Sequence, residues 1–166
     1  MSRGFLNVLY GLIAVAAVGT FLVLRPTESG RVLKTVERLV AEASFKASEG
    51  SVRRLARAES LVNGFTEDAV LHFESLGLPS ALISGRDEVR QLAAAALRLP
   101  GGLEVQVFDP VVTLGPQPDI ARVHLTATAT SGRQEAFSAQ EFEFRLVKRD
   151  GRWMVRELNT VRTLRR

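Results

Sequence analysis

Between Leu103 and Val161 apolar side chains recur at alternate positions, in runs broken by turn-forming residues. Val123, Leu125, Ala127 and Ala129 alternate with His124, Thr126, Thr128 and Thr130, and Phe142, Phe144 and Leu146 alternate with Glu141, Glu143 and Arg145. Strand side chains point to opposite faces with a period of two, so each run has one face for a core and one for water. Leu103, Val105 and Val107, with Val111 and Val112 beyond them, make a preceding strand, and Gly115 to Asp119 is a turn by composition. Ser131-Gly132-Arg133 is a second turn. Asp150-Gly151 is a hairpin signal, because both central residues of a type I′ turn need positive φ. Trp153, Val155, Leu158 and Val161 then belong to a last strand, with Trp153 a buried anchor of that hairpin. A one-faced antiparallel meander must cover its apolar face, which calls for helices on it.

The preceding residues supply them. Val32, Leu33, Val36, Leu39, Val40 and Ala43 recur at helical spacing and predict a helix over roughly 28–47, ended by Gly50. Ser51 is placed to cap a second helix reaching Asn63, whose stripe of Val52, Leu55, Ala56 and Val62, with Glu59 intruding, is expected to be mostly core. Ala69 to Glu74 reads as a short strand. Ser84, followed by Asp87 and Glu88, opens a third helix running to about Leu99 and closed by Pro100-Gly101-Gly102. The expected fold is α+β: a curved antiparallel sheet wrapped around helices.

Ahead of this domain, Phe5 to Leu24 contains no ionisable residue. Some twenty helical residues at ~1.5 Å each cover roughly 30 Å, the hydrocarbon thickness of a bilayer. The organisation expected is a transmembrane anchor over 1–25, a short linker over 26–30 and a domain over 31–166. The rival readings are a cleaved signal peptide, for which Ala14-Val15-Ala16 is the small-x-small site, and a core helix. Ala17 to Leu24 stays apolar past that site and favours an uncleaved span. Arg25, Arg31, Lys34 and Arg38 follow the span while Arg3 alone precedes it, a bias that would keep the domain in the cytoplasm. The export-like start, Arg3 and then an apolar run, favours the opposite. The expectation is a single-pass inner-membrane protein with a periplasmic domain.

Composition removes several chemistries. The absence of cysteine excludes disulfides, thiolate metal sites and a cysteine nucleophile. A formal charge of +4 from 22 basic and 18 acidic residues is spread along the chain, so no concentrated phosphate-binding face is expected and nucleic acid is not an expected partner. No phosphate-cradling glycine fingerprint or Gly-x-Ser-x-Gly elbow occurs. Glu141 and Glu143 share a strand face that Arg145 continues, which reads as a salt-bridged surface and not a metal site. His124 lies among threonines on the solvent side. Arg162, Arg165 and Arg166 form a basic tail, read as solvated, with contact to anionic lipid as the alternative. Neither metal nor cofactor is expected.

Three segments bear a family resemblance: Phe65-Thr66-Glu67-Asp68-Ala69-Val70, Ile83-Ser84-Gly85-Arg86-Asp87-Glu88-Val89, and Arg149-Asp150-Gly151-Arg152-Trp153-Met154-Val155. In order and spacing, over about Arg31 to Arg162, the chain resembles the nuclear transport factor two-like superfamily, including its SnoaL-like and ketosteroid isomerase branches. The resemblance implies a cystatin-like cone enclosing a pocket, often with a homodimer through the outer sheet face. It also implies a general base on the short strand, where this chain has Leu71-His72-Phe73-Glu74, and an oxyanion-binding tyrosine, where the only tyrosine is Tyr10. The base position falls at or beside Phe73, so the isomerase constellation is not carried over.

His72 and Glu74 are the remaining acid–base candidates, since alternation puts them on one strand face with Val70. The competing reading makes them a polar rim or pocket lining without turnover, with Val70 and Phe73 as pocket contacts. Two functions follow. The first is a membrane-tethered, non-catalytic binding or assembly module of the cell envelope, resembling the inner-membrane assembly component of type IV secretion systems. The second is a SnoaL-like pocket that binds or transforms a small apolar molecule through His72 and Glu74.

Overall fold

The computed structural model describes residues 27–73, 81–96, 98, 101–131 and 137–161. The expected span, Phe5 to Leu24, lies outside them, as do Glu74, Gly132, Arg133 and the basic tail. No helix among the described residues is long and apolar enough to cross a membrane. The elements are α1 (Glu28–Ala43), β1 (Phe45–Lys46), α2 (Ser51–Val62), β2 (Phe65–Phe73), β3 (Ala81–Ser84), α3 (Arg86–Ala96), β4 (Gly102–Leu114), β5 (Ile120–Thr130), β6 (Phe137–Arg149) and β7 (Arg152–Val161).

α1 buries Val32, Val36 and Leu39, a four-then-three spacing that keeps one face on the core. Thr27 caps it, its hydroxyl accepting from the amide of Gly30 at 3.1 Å. Glu28 to Gly30, assigned by sequence to the linker, belong to its first turn. The helix ends at Ala43, short of the expected Ala47, because Ser44 turns extended. The Ser44 hydroxyl donates to the carbonyl of Val40 at 3.0 Å and accepts from the amide of Val105 at 3.1 Å, which fastens the helix end to β4. Phe45 is thereby buried on the sheet edge.

α2 departs from expectation. Gly50, and not Ser51, occupies the N-cap, and no side chain caps the helix. Only Ala58 and Val62 are buried, whereas Val52 and Leu55 are 82% and 59% exposed. The C-terminal half of the helix packs against its neighbours and the N-terminal half projects past them. In α3 the roles at the start are also reversed: the Glu88 carboxylate accepts from the Ser84 amide at 2.7 Å, and Gly85 supplies the carbonyl for Val89 at 3.2 Å. That helix ends at Ala96.

The described strands form a seven-stranded sheet, curved and unclosed, in the order β1-β4-β5-β6-β7-β2-β3. It is mixed and not purely antiparallel, because β2 runs parallel to β7, pairing Leu71 with Leu158 and His72 with Asn159. β2 starts at Phe65, earlier than expected, drawn into the ladder by the Val155 amide donating to Gly64 at 2.9 Å. Arg86 locks the junction of β2 and α3 by donating from Nε and Nη2 to the Phe65 carbonyl at 3.1 and 2.7 Å. Asp150 and Gly151 have φ of 50° and 77°, the left-handed pair of a type I′ hairpin joining β6 to β7. Trp153 is 4% exposed and Val155 fully buried. The core lies between the helices and the concave sheet face, with Val36, Val62, Leu71, Val123, Leu146 and Val155 at its centre.

Candidate functional site

The concave face supplies Val105 and Val107 from β4, Leu125 and Ala127 from β5, Phe142 and Phe144 from β6, Leu158 from β7 and Leu71 and Phe73 from β2. α1 adds Leu39 and Val40, α2 adds Leu61, and α3 adds Val89, Leu92 and Ala93. Together they surround a cavity of about 380 Å³. Its origin is legible in residue size: Ala43, Ala93, Ala96, Ala127 and Ala129 line it where longer side chains would fill the space. The volume lies in the range of roughly 300–1,000 Å³ usual for small-molecule sites.

Among the described residues no ionisable side chain lines this cavity; Thr128 and Gln140 are its polar members. Ala127 pairs with Gln140 but Ala129 pairs with Phe137, so β6 contains an extra residue there and the faces rotate locally. Thr128 borders the cavity from β5, whose register against β4 is regular there, pairing Gln106 with Thr128 and Val105 with Ala129. Gln140 was accessible to sequence reasoning, since it continues the inward set of Phe144 and Phe142 backward by two, and its polarity hid it. The Gln140 amide donates to the Val161 carbonyl at 3.0 Å. Its Nε2 is thus occupied by the protein.

The sequence candidates divide. Phe73 lines the cavity, as an aromatic ring at or beside the position where the resemblance puts a base. Val70 and His72 are half-buried and do not line it, because alternation gives the inward positions of β2 to Ala69, Leu71 and Phe73. The expectation that Val70 and His72 point into the cone therefore needs correction: they occupy the opposite strand face. The His72 carbonyl accepts from the Thr160 hydroxyl at 3.5 Å. Glu74 lies outside the described residues.

On the outer sheet face, His124 Nε2 meets the Glu143 carboxylate at 2.9 Å, and Glu143 also takes Arg145 Nε at 3.0 Å. Arg145 reaches on to Glu157 at 3.0 Å. Hydrogen bonding to Glu143, with the charge of Glu157, raises the guanidinium pKa further above its ordinary value. This is the salt-bridged surface the spacing of Glu143 and Arg145 predicts, and His124 is part of it. No group of acidic and imidazole side chains suited to a metal ion occurs among the described residues.

A larger groove of about 1,000 Å³ opens beside β1, lined by Lys46, Glu49, Arg53, Arg57 and Glu104 among others. Its arginines are committed internally: Arg57 bonds Glu49 at 2.9 Å and the Ala41 carbonyl at 2.9 Å, and Arg53 bonds Glu49 at 3.0 Å. The smaller apolar cavity is therefore the better binding site despite its size.

The fold recurs in solved structures. Aln2 from a Streptomyces species is 15% identical, with a TM-score of 0.62 over 80% of this chain and 88% of that one. A Mycobacterium tuberculosis protein of unknown function is 20% identical, with a TM-score of 0.59 over 80% and 73%. A type 2 hexachlorocyclohexane dehydrochlorinase, LinA, is 14% identical, with a TM-score of 0.57 over 79% and 82%. A search of curated proteins finds no relative that matches this chain. The family model of the SnoaL-like domain matches residues 51–159, and with the cone and its apolar cavity in place, the chain belongs to the SnoaL-like family.

Proposed function

We propose that this SnoaL-like domain is a non-catalytic binding module that holds one small, largely apolar molecule in the cavity between α1, α3 and the concave sheet. The observation behind this reading is the lining itself: a space of about 380 Å³ with no ionisable side chain among the described residues. Apolar walls favour a guest by removing its surface from water, at roughly 25 cal/mol per Å². Gln140, a polar member of an otherwise apolar lining, favours a guest with a single polar group at one end. General acid–base chemistry needs a titratable group within hydrogen-bond reach of the reacting atom, and the described lining supplies none. LinA shows that the fold accommodates an enzyme; here the enzymatic alternative rests on His72, on the other strand face, and on Glu74.

The module is tethered, in this reading, by residues 5–24, and the domain lies on the periplasmic side of an inner membrane. The apolar run and export-like start support the tether, and the basic residues after it oppose the orientation. A homodimer through the outer sheet face is supported by the exposure of Phe108 and Val111 on β4.

Titration of 2-naphthol, a bicyclic apolar probe with one hydroxyl, tests the pocket. The Ala93→Leu/Ala127→Leu variant fills the cavity and should weaken binding at least about tenfold, the loss of roughly 1.4 kcal/mol, with the fold retained by circular dichroism. Gln140→Leu should reduce the preference for 2-naphthol over naphthalene. Binding unchanged by the filled cavity would place the probe elsewhere and overturn the reading.

A further inference from the structure

One end of the sheet gathers features that the pocket does not use. The β4–β5 turn carries exposed Leu114 and Ile120, 46% and 36% accessible. The β6–β7 hairpin beside it carries exposed Arg149 and Arg152. The two tips are joined by the Lys148 amide donating to the Asp119 carbonyl at 2.8 Å, so they form one surface.

The start of α1 is fastened to this same surface. Glu28 Oε2 accepts from Trp153 Nε1 at 3.1 Å and from Lys148 Nζ at 3.0 Å, and its Oε1 accepts from Arg31 at 2.9 Å. Three residues, Arg25 to Thr27, separate Glu28 from the last apolar residue of the run, Leu24. Fully extended, the four Cα steps from Leu24 to Glu28 reach only about 14 Å. The far end of the sheet, where Glu104 pairs with Thr130, is the length of β5 away, about 35 Å.

We propose that this end of the domain, the β4–β5 turn and the β6–β7 hairpin, docks on the anionic headgroups of the bilayer holding residues 5–24. The proposal rests on the tether reading above. A short leash from a clamped helix start leaves this end nearest the membrane, whatever the rotation about the leash. Leu114 and Ile120 supply aliphatic contacts for the headgroup boundary. Among the described residues the charge balance suits an anionic surface: Arg31, Lys148, Arg149 and Arg152 stand against Glu28, Asp119 and Asp150. Such attraction acts within a Debye length, about 8 Å at physiological salt, so it needs the proximity that the leash imposes. The cavity walls are then held at a set height above the lipid.

The native chain has no cysteine, so a single label is unambiguous. The full chain carries a bimane at Gln117→Cys, in the turn, or at Ser48→Cys, near the far end, and is reconstituted into phosphatidylcholine–phosphatidylglycerol vesicles doped with headgroup-nitroxide lipid. The label at 117 should be quenched at least about twofold more than that at 48, given the separation of roughly 35 Å. Arg149→Glu/Arg152→Glu, at two exposed tip positions, should shrink the difference, with Trp153 emission confirming the fold. Equal quenching in a chain that floats with the vesicles overturns docking and leaves the tether standing. A difference that persists in pure phosphatidylcholine and ignores the charge reversal overturns the anionic-lipid partner. A chain that does not float overturns both.

Discussion

Truncation of Trp153 tests the register of the hairpin and the clamp on α1 together. The indole is 4% exposed, sits opposite Lys148 across the ladder, and has the Lys148 ammonium 5.7 Å from its ring centroid. Its N–H donates to Glu28, so the side chain serves as both a packing unit and a polar link. Trp153→Ala removes the ring from a site that the β6–β7 ladder holds open. Large-to-small changes of this kind cost about 3–5 kcal/mol. For a domain of roughly 130 residues, each kcal/mol moves the midpoint by about 3–5 °C, which gives a fall of about 9–25 °C. Trp153→Phe keeps most of the apolar area and loses the donor, and should shift the midpoint by less than half as much. Thermal unfolding by circular dichroism measures both variants; in the native chain the single tryptophan also reports unfolding by fluorescence. An unchanged midpoint for Trp153→Ala, or equal losses for alanine and phenylalanine, would refute the packing argument.

Gly102→Ala should destabilise by about 2 kcal/mol or more, since φ is +76° and the new Cβ would lie 2.6 Å from the Phe45 carbonyl, a backbone atom that cannot swing aside; a denaturant midpoint equal to the native one would count against that geometry. Acid should weaken the fold through Glu28 and Glu49, whose carboxyls are held below their ordinary value of 4.5 by hydrogen bonds from Lys148 and Arg57 respectively. A depressed folded pKa stabilises above the unfolded value and loses that contribution as pH falls through the folded one, so Glu28→Gln/Glu49→Gln should flatten the loss of stability below about pH 4.5; an unaltered slope would show that the pairs are not coupled to folding. A periplasmic domain predicts an active C-terminal alkaline phosphatase fusion, and an inactive one paired with an active cytoplasmic reporter would reverse the topology.

Local periodicity made much of this molecule legible. α1 declares itself through Val32, Val36 and Leu39, and β5 through Val123 and Leu125, because each pattern needs only the geometry of its own element. The Asp150-Gly151 turn is equally local, since its backbone angles exclude most residue pairs. The edge strands β1 and β3 are silent in the sequence, because segments of two and four residues contain too little pattern to register. The parallel pairing of β2 with β7 joins segments some 80 residues apart, and no local rule encodes it.

Sequence by itself determined the order of the three helices and the five longer strands, the buried face of the meander, the family, and the absence of cysteine chemistry. Only the tertiary structure decided which half of α2 is covered: Val52, Leu55, Ala58 and Val62 all look apolar in sequence, and contact with neighbouring elements reaches the last two alone. It also decided the site. Alternation could place Val70, His72 and Glu74 together but not say which side of β2 the cone would close on. The cavity exists because alanines from α1, α3 and β5 face one another with nothing long enough between them. An alanine's empty surroundings are a property of its neighbours in space and leave no trace in the chain.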